Sequence, residues 1–263
     1  MCLAREPAPP RGMRAGPLRP EEPMPKTRNR TAIMFVATRN RHKLREIGAL
    51  LAPMGFEIRS CAELGNDDVA ENGATFLANA RAKLAAYAAR TDQWVLADDS
   101  GLEVPALGGA PGVNSARYAR PHDDAANNAK LLAALAPFRG AERRARFVCA
   151  VALGRDGREV FAAEGAVEGV ILDAPRGAGG FGYDPLFLHA PTGATFAELS
   201  DRDKNRVSHR ARALEAVSYT HLRAHETVLD LVCRLLLEKK NNHSINTLTT
   251  TKHYPLPPNP PPT

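Results

Sequence analysis

The sequence is short of the residues that mark secreted, zinc-binding or membrane-spanning chains. Four cysteines occur in 263 residues, Cys2, Cys61, Cys149 and Cys233, far apart and without a CxxC pair. That spacing argues against a disulfide framework and a cysteine-built zinc site, and it fits a reducing cytoplasm. No apolar run approaches the roughly 18–20 residues a spanning helix needs; Leu235-Leu236-Leu237 is only a short patch. The basic, proline-broken N-terminus has no apolar core of the kind a secretory signal requires. A Walker A loop is missing too, since G-x-x-x-x-G-K-[ST] occurs nowhere.

The central part of the chain also lacks a charge excess. The formal net charge is +6, but residues 1–31 hold seven Lys/Arg against three Asp/Glu, and residues 218–263 hold five against three. Residues 32–217 carry 23 of each sign and are neutral. A face that binds DNA or RNA puts its basic excess on the folded domain. Neither nucleic acid nor a membrane is therefore expected as a partner.

What is present suits a soluble globular protein: 44% hydrophobic and 24% charged residues, enough for one large domain or two lobes. Residues 1–31, rich in Pro, Arg and Glu, read as a disordered N-terminal extension, or as sequence upstream of a true start at Met24 or Met34. Residues 218–263 contain no glycine, have Ala224 as their only alanine, and run into Pro-Leu-Pro-Pro-Asn-Pro-Pro-Pro. Leu222, Val228, Leu229, Val232, Leu235 and Leu236 are spaced for an amphipathic helix, which would make this a real C-terminal element. The other reading is an atypical tail from Ser218 onward, produced by a frameshift, fusion or assembly artefact. An uninterrupted native reading frame through Ser218 would refute that reading.

Between these ends the pattern alternates. Ala32–Ala37 reads as a strand, and Leu44, Ile47, Leu50 and Leu51 share one helix face until Pro53 and Gly55 stop it. Phe56–Ile58 reads as a strand, and Thr75 to about Arg90 as a helix with Phe76, Ala80, Leu84 and Tyr87 on one face. Trp94–Ala97 returns to strand, with a Gly/Pro-rich loop expected from Gly101 to about Gly112. Residues 123–136 suggest a helix, Phe147–Leu153 and Val160–Ile171 a hairpin across Arg155-Asp156-Gly157, and Val207–Val217 a last helix. The order predicts an α/β fold with a mixed sheet.

Several short stretches carry chemistry. Asp98-Asp99-Ser100-Gly101 stands where the strand from Trp94 is expected to end. Adjacent carboxylates repel and invite a cation, and hard oxygen donors favour Mg²⁺; a solvated turn explains the same residues. Thr38-Arg39-Asn40-Arg41-His42-Lys43 lies between strand and helix, a place suited to an anion or to a plain helix cap. Glu71 offers a further carboxylate. Gly179-Gly180-Phe181-Gly182-Tyr183-Asp184-Pro185 puts aromatics and an acid on a loop fit to stack on a base, or forms an ordinary turn. Lys204 and Ser208-His209-Arg210 follow, with Ser208 a plausible N-cap.

Taken together in order and spacing, these stretches, with Gly108-Gly109-Ala110-Pro111-Gly112 and Ser115-Ala116-Arg117-Tyr118, resemble the non-canonical purine nucleoside triphosphate pyrophosphatases, also called inosine triphosphate pyrophosphatases. The resemblance covers about residues 33–217. It implies an elongated mixed central sheet flanked by helices, two lobes with a substrate cleft, and a cytoplasmic homodimer. The implied reaction is Mg²⁺-dependent hydrolysis of ITP, dITP and XTP to the monophosphate and pyrophosphate.

By the same resemblance, Asp99 accepts a proton from the attacking water and binds Mg²⁺ with Glu71, and Asp98 supports them electrostatically. Thr38, Arg39, Asn40, Arg41, His42 and Lys43 would bind the triphosphate, with Arg39 standing where the family usually has glycine. Ser100 would contact substrate. Phe181, Gly182, Tyr183, Asp184, Lys204, His209 and Arg210 would form the nucleotide pocket, with Phe181 stacked on the base. The alternatives are a related Maf-type pyrophosphatase of the septum-inhibitor group with another base preference, and a nucleotide-binding module without turnover.

Overall fold

The computed structural model describes residues 32–52, 55–65 and 69–220. The expected disordered extension 1–31 and the tail from residue 221 onward lie outside the described residues. Strands β1 (Ala32–Ala37), β2 (Phe56–Ser60), β3 (Trp94–Glu103), β4 (Arg144–Arg155), β5 (Arg158–Ile171), β6 (Phe187–His189) and β7 (Ala194–Thr195) form a seven-stranded sheet. Their order is β2-β1-β3-β4-β5-β6-β7. β2, β1 and β3 are parallel, and from β3 onward each neighbour is antiparallel. The expected mixed α/β sheet is the one observed.

Helices α1 (Arg41–Leu51) and α2 (Phe76–Ala88) carry the two crossovers, and α3 (Asp124–Ala134), α4 (Asp201–Val207) and α5 (His209–Thr220) complete the set. Alternation along the strands assigns each core to a face. Met34, Val36, Leu96, Cys149 and Val151 point towards Ile47 and Leu51 of α1 and Ala213 and Leu214 of α5. Phe35, Ala37, Val95, Ala97, Ala150 and Ala152 point towards Phe76, Ala80 and Leu84 of α2. A third cluster, with Leu131, Phe147, Phe187 and Phe196, closes the β6–β7 end.

Two expectations need correcting. Asp98-Asp99-Ser100-Gly101 is not a turn but the middle of β3, paired residue for residue with Val151, Ala150, Cys149 and Val148. The loop expected from Gly101 consequently starts only after Glu103. Turn propensity is weak against a ladder of main-chain bonds to β4, supplemented on the other edge by the Ser115 hydroxyl, which accepts from the Leu102 N–H at 2.9 Å. The last helix expected over Val207–Val217 is α5, and Ser208 is its N-cap as expected: extended (φ −70°, ψ 155°), it breaks the chain after α4, which the sequence reading did not include, and its hydroxyl starts α5 by accepting from the Ala211 N–H.

That break re-aims α5 across β5. A Cβ on Gly165 would stand 2.2 Å from the Ala213 nitrogen and 2.5 Å from the His209 carbonyl oxygen. Glycine is what lets the backbones of helix and strand meet there, and it sets how deep His209 and Arg210 sit.

Candidate active site

β1 ends opposite Ala97, whereas β3 runs on to Glu103. The crossovers leaving β1 and entering β3 lie on opposite faces of the sheet. In open α/β sheets the crevice outside the carboxyl ends of strands at such a switch point is where ligands bind. A cavity of about 480 Å³ opens here.

The same alternation separates the adjacent aspartates. Asp98 faces α1 and α5: its Oδ2 lies 3.2 Å from Arg210 Nη2 and 3.5 Å from Lys43 Nζ. Asp99 faces α2: its Oδ2 accepts from Asn79 Nδ2 at 2.9 Å, and its Oδ1 lies 3.4 Å from Lys83 Nζ. Asp99 lines the cavity and Asp98 does not. The premise that the two carboxylates share one site is therefore replaced by two sites back to back. Burial opposes ionisation of Asp98, yet Lys43, Arg210 and Lys83 outweigh it and hold that carboxyl well below the usual carboxylate range.

Lys83 links Asp99 to Glu71, whose Oε1 it reaches at 2.8 Å. Desolvation works against the buried ammonium, but Asp99, Asp98 and Glu71 raise its pKa, so it is charged. Glu71 is lowered in spite of its own desolvation, by Lys83, Lys43 and Arg117. Asn79 and Lys83 escaped the sequence reading although a signal was there. They fall at helical spacing among Phe76, Ala80, Leu84 and Tyr87, polar residues on an apolar face.

Glu71 and Asp99 are the sequence-predicted metal ligands, and Lys83 brings both to one wall of the cavity. Among the described residues no cluster of three or more His, Cys, Asp or Glu stands ready to hold a metal by itself. Two carboxylates are nonetheless a donor set that fits Mg²⁺, which keeps several waters and takes its other oxygens from substrate phosphates.

The Thr38–Lys43 stretch is partly spent on its own helix. Asn40 caps α1, its side-chain oxygen accepting from the N–H groups of His42 and Lys43 at 2.8 and 3.2 Å. Thr38 Oγ1 accepts from the Asn40 N–H. Thr38, Arg39, Asn40 and Lys43 line the cavity; Arg41 and His42 do not. His42 instead stacks on Phe181, ring centroids 5.1 Å apart and planes 19° apart.

Phe181, Tyr183, Asp184, Lys204, His209, Arg210 and Ser100 also line the cavity; Gly182 does not. A histidine-arginine pair at a helix start is usually on the surface, but His209 and Arg210 are buried. Arg210 spends its donors on Glu46, Asp98 and the Ser100 hydroxyl. Glu46 also takes Lys204 at 2.7 Å, and Lys204 in turn pairs with Asp184. The result is a line of alternating charge, Lys43, Asp98, Arg210, Glu46, Lys204, Asp184, in which all but Lys43 are buried. Glu46 was missed by the sequence reading, although it follows Lys43 by one helical turn and adjoins Ile47 on the inward face of α1. Tyr183 is tied by its hydroxyl to the Ser115 carbonyl at 2.9 Å.

His209 stacks on Phe147 at 4.8 Å, and its Nδ1 has no hydrogen-bond partner. Burial, with Arg210 and Lys204 nearby, holds its pKa well below the ordinary value, so the ring is neutral at pH 7. Below about pH 6.5 the unfolded imidazole binds a proton that the folded one refuses, so stability falls as pH drops, by up to about 1.4 kcal/mol per pH unit for this one proton. His209→Phe is expected to flatten the denaturant-measured stability between pH 7 and pH 5. Equal slopes in variant and parent would contradict this account.

Residues 34–219 match the Ham1 family model. The dITP/XTP pyrophosphatase of Syntrophobacter fumaroxidans is 52% identical over 185 residues, which are 70% of this chain and 79% of that protein. A dITP/XTP pyrophosphatase of Thermus thermophilus is 50% identical over 184 residues, covering 70% and 89%. Among solved structures, a HAM1 protein from Coxiella burnetii superposes with a TM-score of 0.65 at 38% identity, over 73% of this chain and 100% of that one. A dITP/XTP pyrophosphatase from Mycobacterium abscessus does so with a TM-score of 0.59 at 43% identity, again over 73% and 100%. The match covers every residue that lines the cavity, and by it this chain belongs to the Ham1 family.

Proposed function

We propose that this chain hydrolyses the deaminated purine nucleoside triphosphates ITP, dITP and XTP to the monophosphate and pyrophosphate, removing them from the nucleotide pool. One observation supports this above the rest: a single cavity is lined both by a carboxylate flanked by cations and by an aromatic ring with buried hydrogen-bonding groups. A nucleoside triphosphate calls for both. The relatives named dITP/XTP pyrophosphatase, at 52% and 50% identity, support the same reading.

In this reading Asp99 takes the proton of the water that breaks the α–β phosphoanhydride bond. Asn79 and Lys83 fix its two oxygens, so the carboxylate is oriented before substrate arrives. Lys43, Arg39 and Arg117 face the developing charge of the leaving pyrophosphate, and the positive end of α1 adds to them. Mg²⁺, held by Glu71 and Asp99, would supply charge neutralisation of the phosphates. Asp98 keeps Lys43 and Arg210 in place from the opposite face of β3. Phe181 stacks on the base, and Lys204 with His209 presents polar groups to its edge. Donors meeting a 6-oxo oxygen would be left unpaired against the 6-amino group of adenine, at about 1–3 kcal/mol for each buried donor.

Residues 32–217 form the catalytic domain in this proposal, acting as a cytoplasmic homodimer. The described residues contain no helix long and apolar enough to cross a membrane. Incubation of the full chain with ITP and Mg²⁺ is expected to yield pyrophosphate and IMP. Release of single phosphates would overturn the reaction class, preference for other bases in a triphosphate panel would favour the Maf-type alternative, and tight binding without turnover would leave a binding module.

A further inference from the structure

The ring proposed to meet the base, Phe181, stands on a loop that belongs to no strand, between two glycines with positive φ, Gly180 at +71° and Gly182 at +63°. Nothing lies within 4 Å of a Cβ built on Gly182, so its backbone conformation, and not crowding, demands glycine there. Inside the loop the Phe181 N–H donates to Asp184 Oδ2 at 2.8 Å, and the Asp184 N–H donates to the Phe181 carbonyl at 3.2 Å. Those bonds shape the loop without fixing where it stands over the cavity.

Tyr183, Asp184 and the ring itself have partners outside the loop in Ser115, Lys204 and His42, and the Gly182 peptide next to the ring is held by two bonds from α3. The Gly182 N–H donates to Asp124 Oδ2 at 2.6 Å, and Asn128 Nδ2 donates to the Gly182 carbonyl at 2.9 Å. Asp124 and Asn128 are one helical turn apart on the same side of α3, so they grip the Gly182 N–H and C=O from one rigid element. The acceptor side of Asn128 is unused: its buried Oδ1 has no partner. The adjacent Asn127 is spent on the segment before α3, accepting from the N–H groups of Ala119 and Arg120 at 2.6 and 3.2 Å.

We propose that Asp124 and Asn128 are positioning residues for the nucleobase: they clamp the Gly182 peptide and thereby aim the Phe181 ring that meets the base. The proposal rests on the nucleotide-hydrolysis reading above. A plainer role exists for Asp124, whose place in the first turn of α3 favours the helix dipole. The two roles differ in what they move. A dipole contribution changes stability alone, whereas a clamp changes how well the base end of the substrate is bound.

The test compares the full-length protein with Asp124→Ala, Asp124→Asn and Asn128→Ala in ITP hydrolysis with Mg²⁺, and uses inorganic tripolyphosphate, which has no base, as a competitor. Loss of one hydrogen bond to a charged acceptor is expected to raise the KM of Asp124→Ala for ITP about tenfold, with kcat within about twofold. Asp124→Asn keeps an acceptor oxygen and should stay within about threefold of the parent KM. Tripolyphosphate inhibition should be the same in all variants, since it has no base to meet the Phe181 ring. The clamp is overturned if KM is unchanged in Asp124→Ala, if Asp124→Asn is equally impaired, or if tripolyphosphate inhibition weakens in parallel. Should Asp124→Ala fail to fold, Asn128→Ala, which leaves the helix start intact, is read by the same criteria. A parent protein that releases no pyrophosphate from ITP, dITP or XTP overturns the functional reading and the clamp with it; an active parent with indifferent variants overturns the clamp alone.

Discussion

Asp99→Asn is expected to lower kcat for ITP hydrolysis by about 10²–10⁴-fold, the range of a lost general base, while the protein still folds. Asp99 is held on both oxygens, by Asn79 and by Lys83. An amide keeps one acceptor oxygen for Asn79 but turns its NH₂ towards the Lys83 ammonium, so it neither accepts the water's proton nor matches its surroundings. Lys83 keeps Glu71 at 2.8 Å, which limits the cost to that of one mispaired buried contact, about 1–3 kcal/mol. Single-turnover rates alongside a thermal melt separate the two effects. A variant that retains a tenth or more of the parent kcat would remove Asp99 from the proton-transfer role.

The parts of this site that were legible in the sequence are those in which local pattern and tertiary structure agree. Ala32–Ala37 forms β1 as its apolar run suggests, and Asn40 ends the loop before α1 as a side chain able to cap does. The hairpin of β4 and β5 turns at Asp156-Gly157, both with positive φ, as an Asp-Gly pair between apolar strands predicts. Legibility failed where a distant partner decides. Asp98-Asp99-Ser100-Gly101 has turn composition, but the chain that overrides it arrives some fifty residues later as Val148–Val151. The short strands β6 and β7 hold together by pairing with β5 and with each other, too briefly for any periodic signal. Glu46, Asn79 and Lys83 were hidden for the opposite reason: on helix faces read for their apolar members, a buried charge is conspicuous only once its partner is in place. Glu46 meets Lys204 and Arg210, and Lys83 meets Asp99, through folding alone.

That dependence on partners makes Arg210 the residue whose loss should cost the most stability. Its guanidinium is fully buried between Asp98 and Glu46, so Arg210→Met leaves two carboxylates inside the protein without their shared cation. Breaking a buried pair from one side costs about 3–5 kcal/mol, which in a domain of this size is a fall of about 10 °C in Tm. The pH dependence has a definite sign. Asp98 and Glu46 titrate below their unfolded values in the parent, so their contribution is present at neutral pH and is lost as pH falls through and below the ordinary carboxylate range. In the variant the stranded carboxyls are raised and protonate earlier, which relieves their burial. The gap between parent and variant should therefore narrow as pH drops from 7 towards 4. The double variant Glu46→Gln/Arg210→Met offers a sharper check, because it deletes neighbouring charges of opposite sign and leaves two neutral pairs, Lys43 with Asp98 and Lys204 with Asp184. Part of the lost Tm should return while ITP hydrolysis does not, since Lys204 has lost the charge that anchored it beside the base. If Arg210→Met melts within about 3 °C of the parent, or if the gap is the same at every pH, the line of alternating charge is not what holds α5 against the sheet.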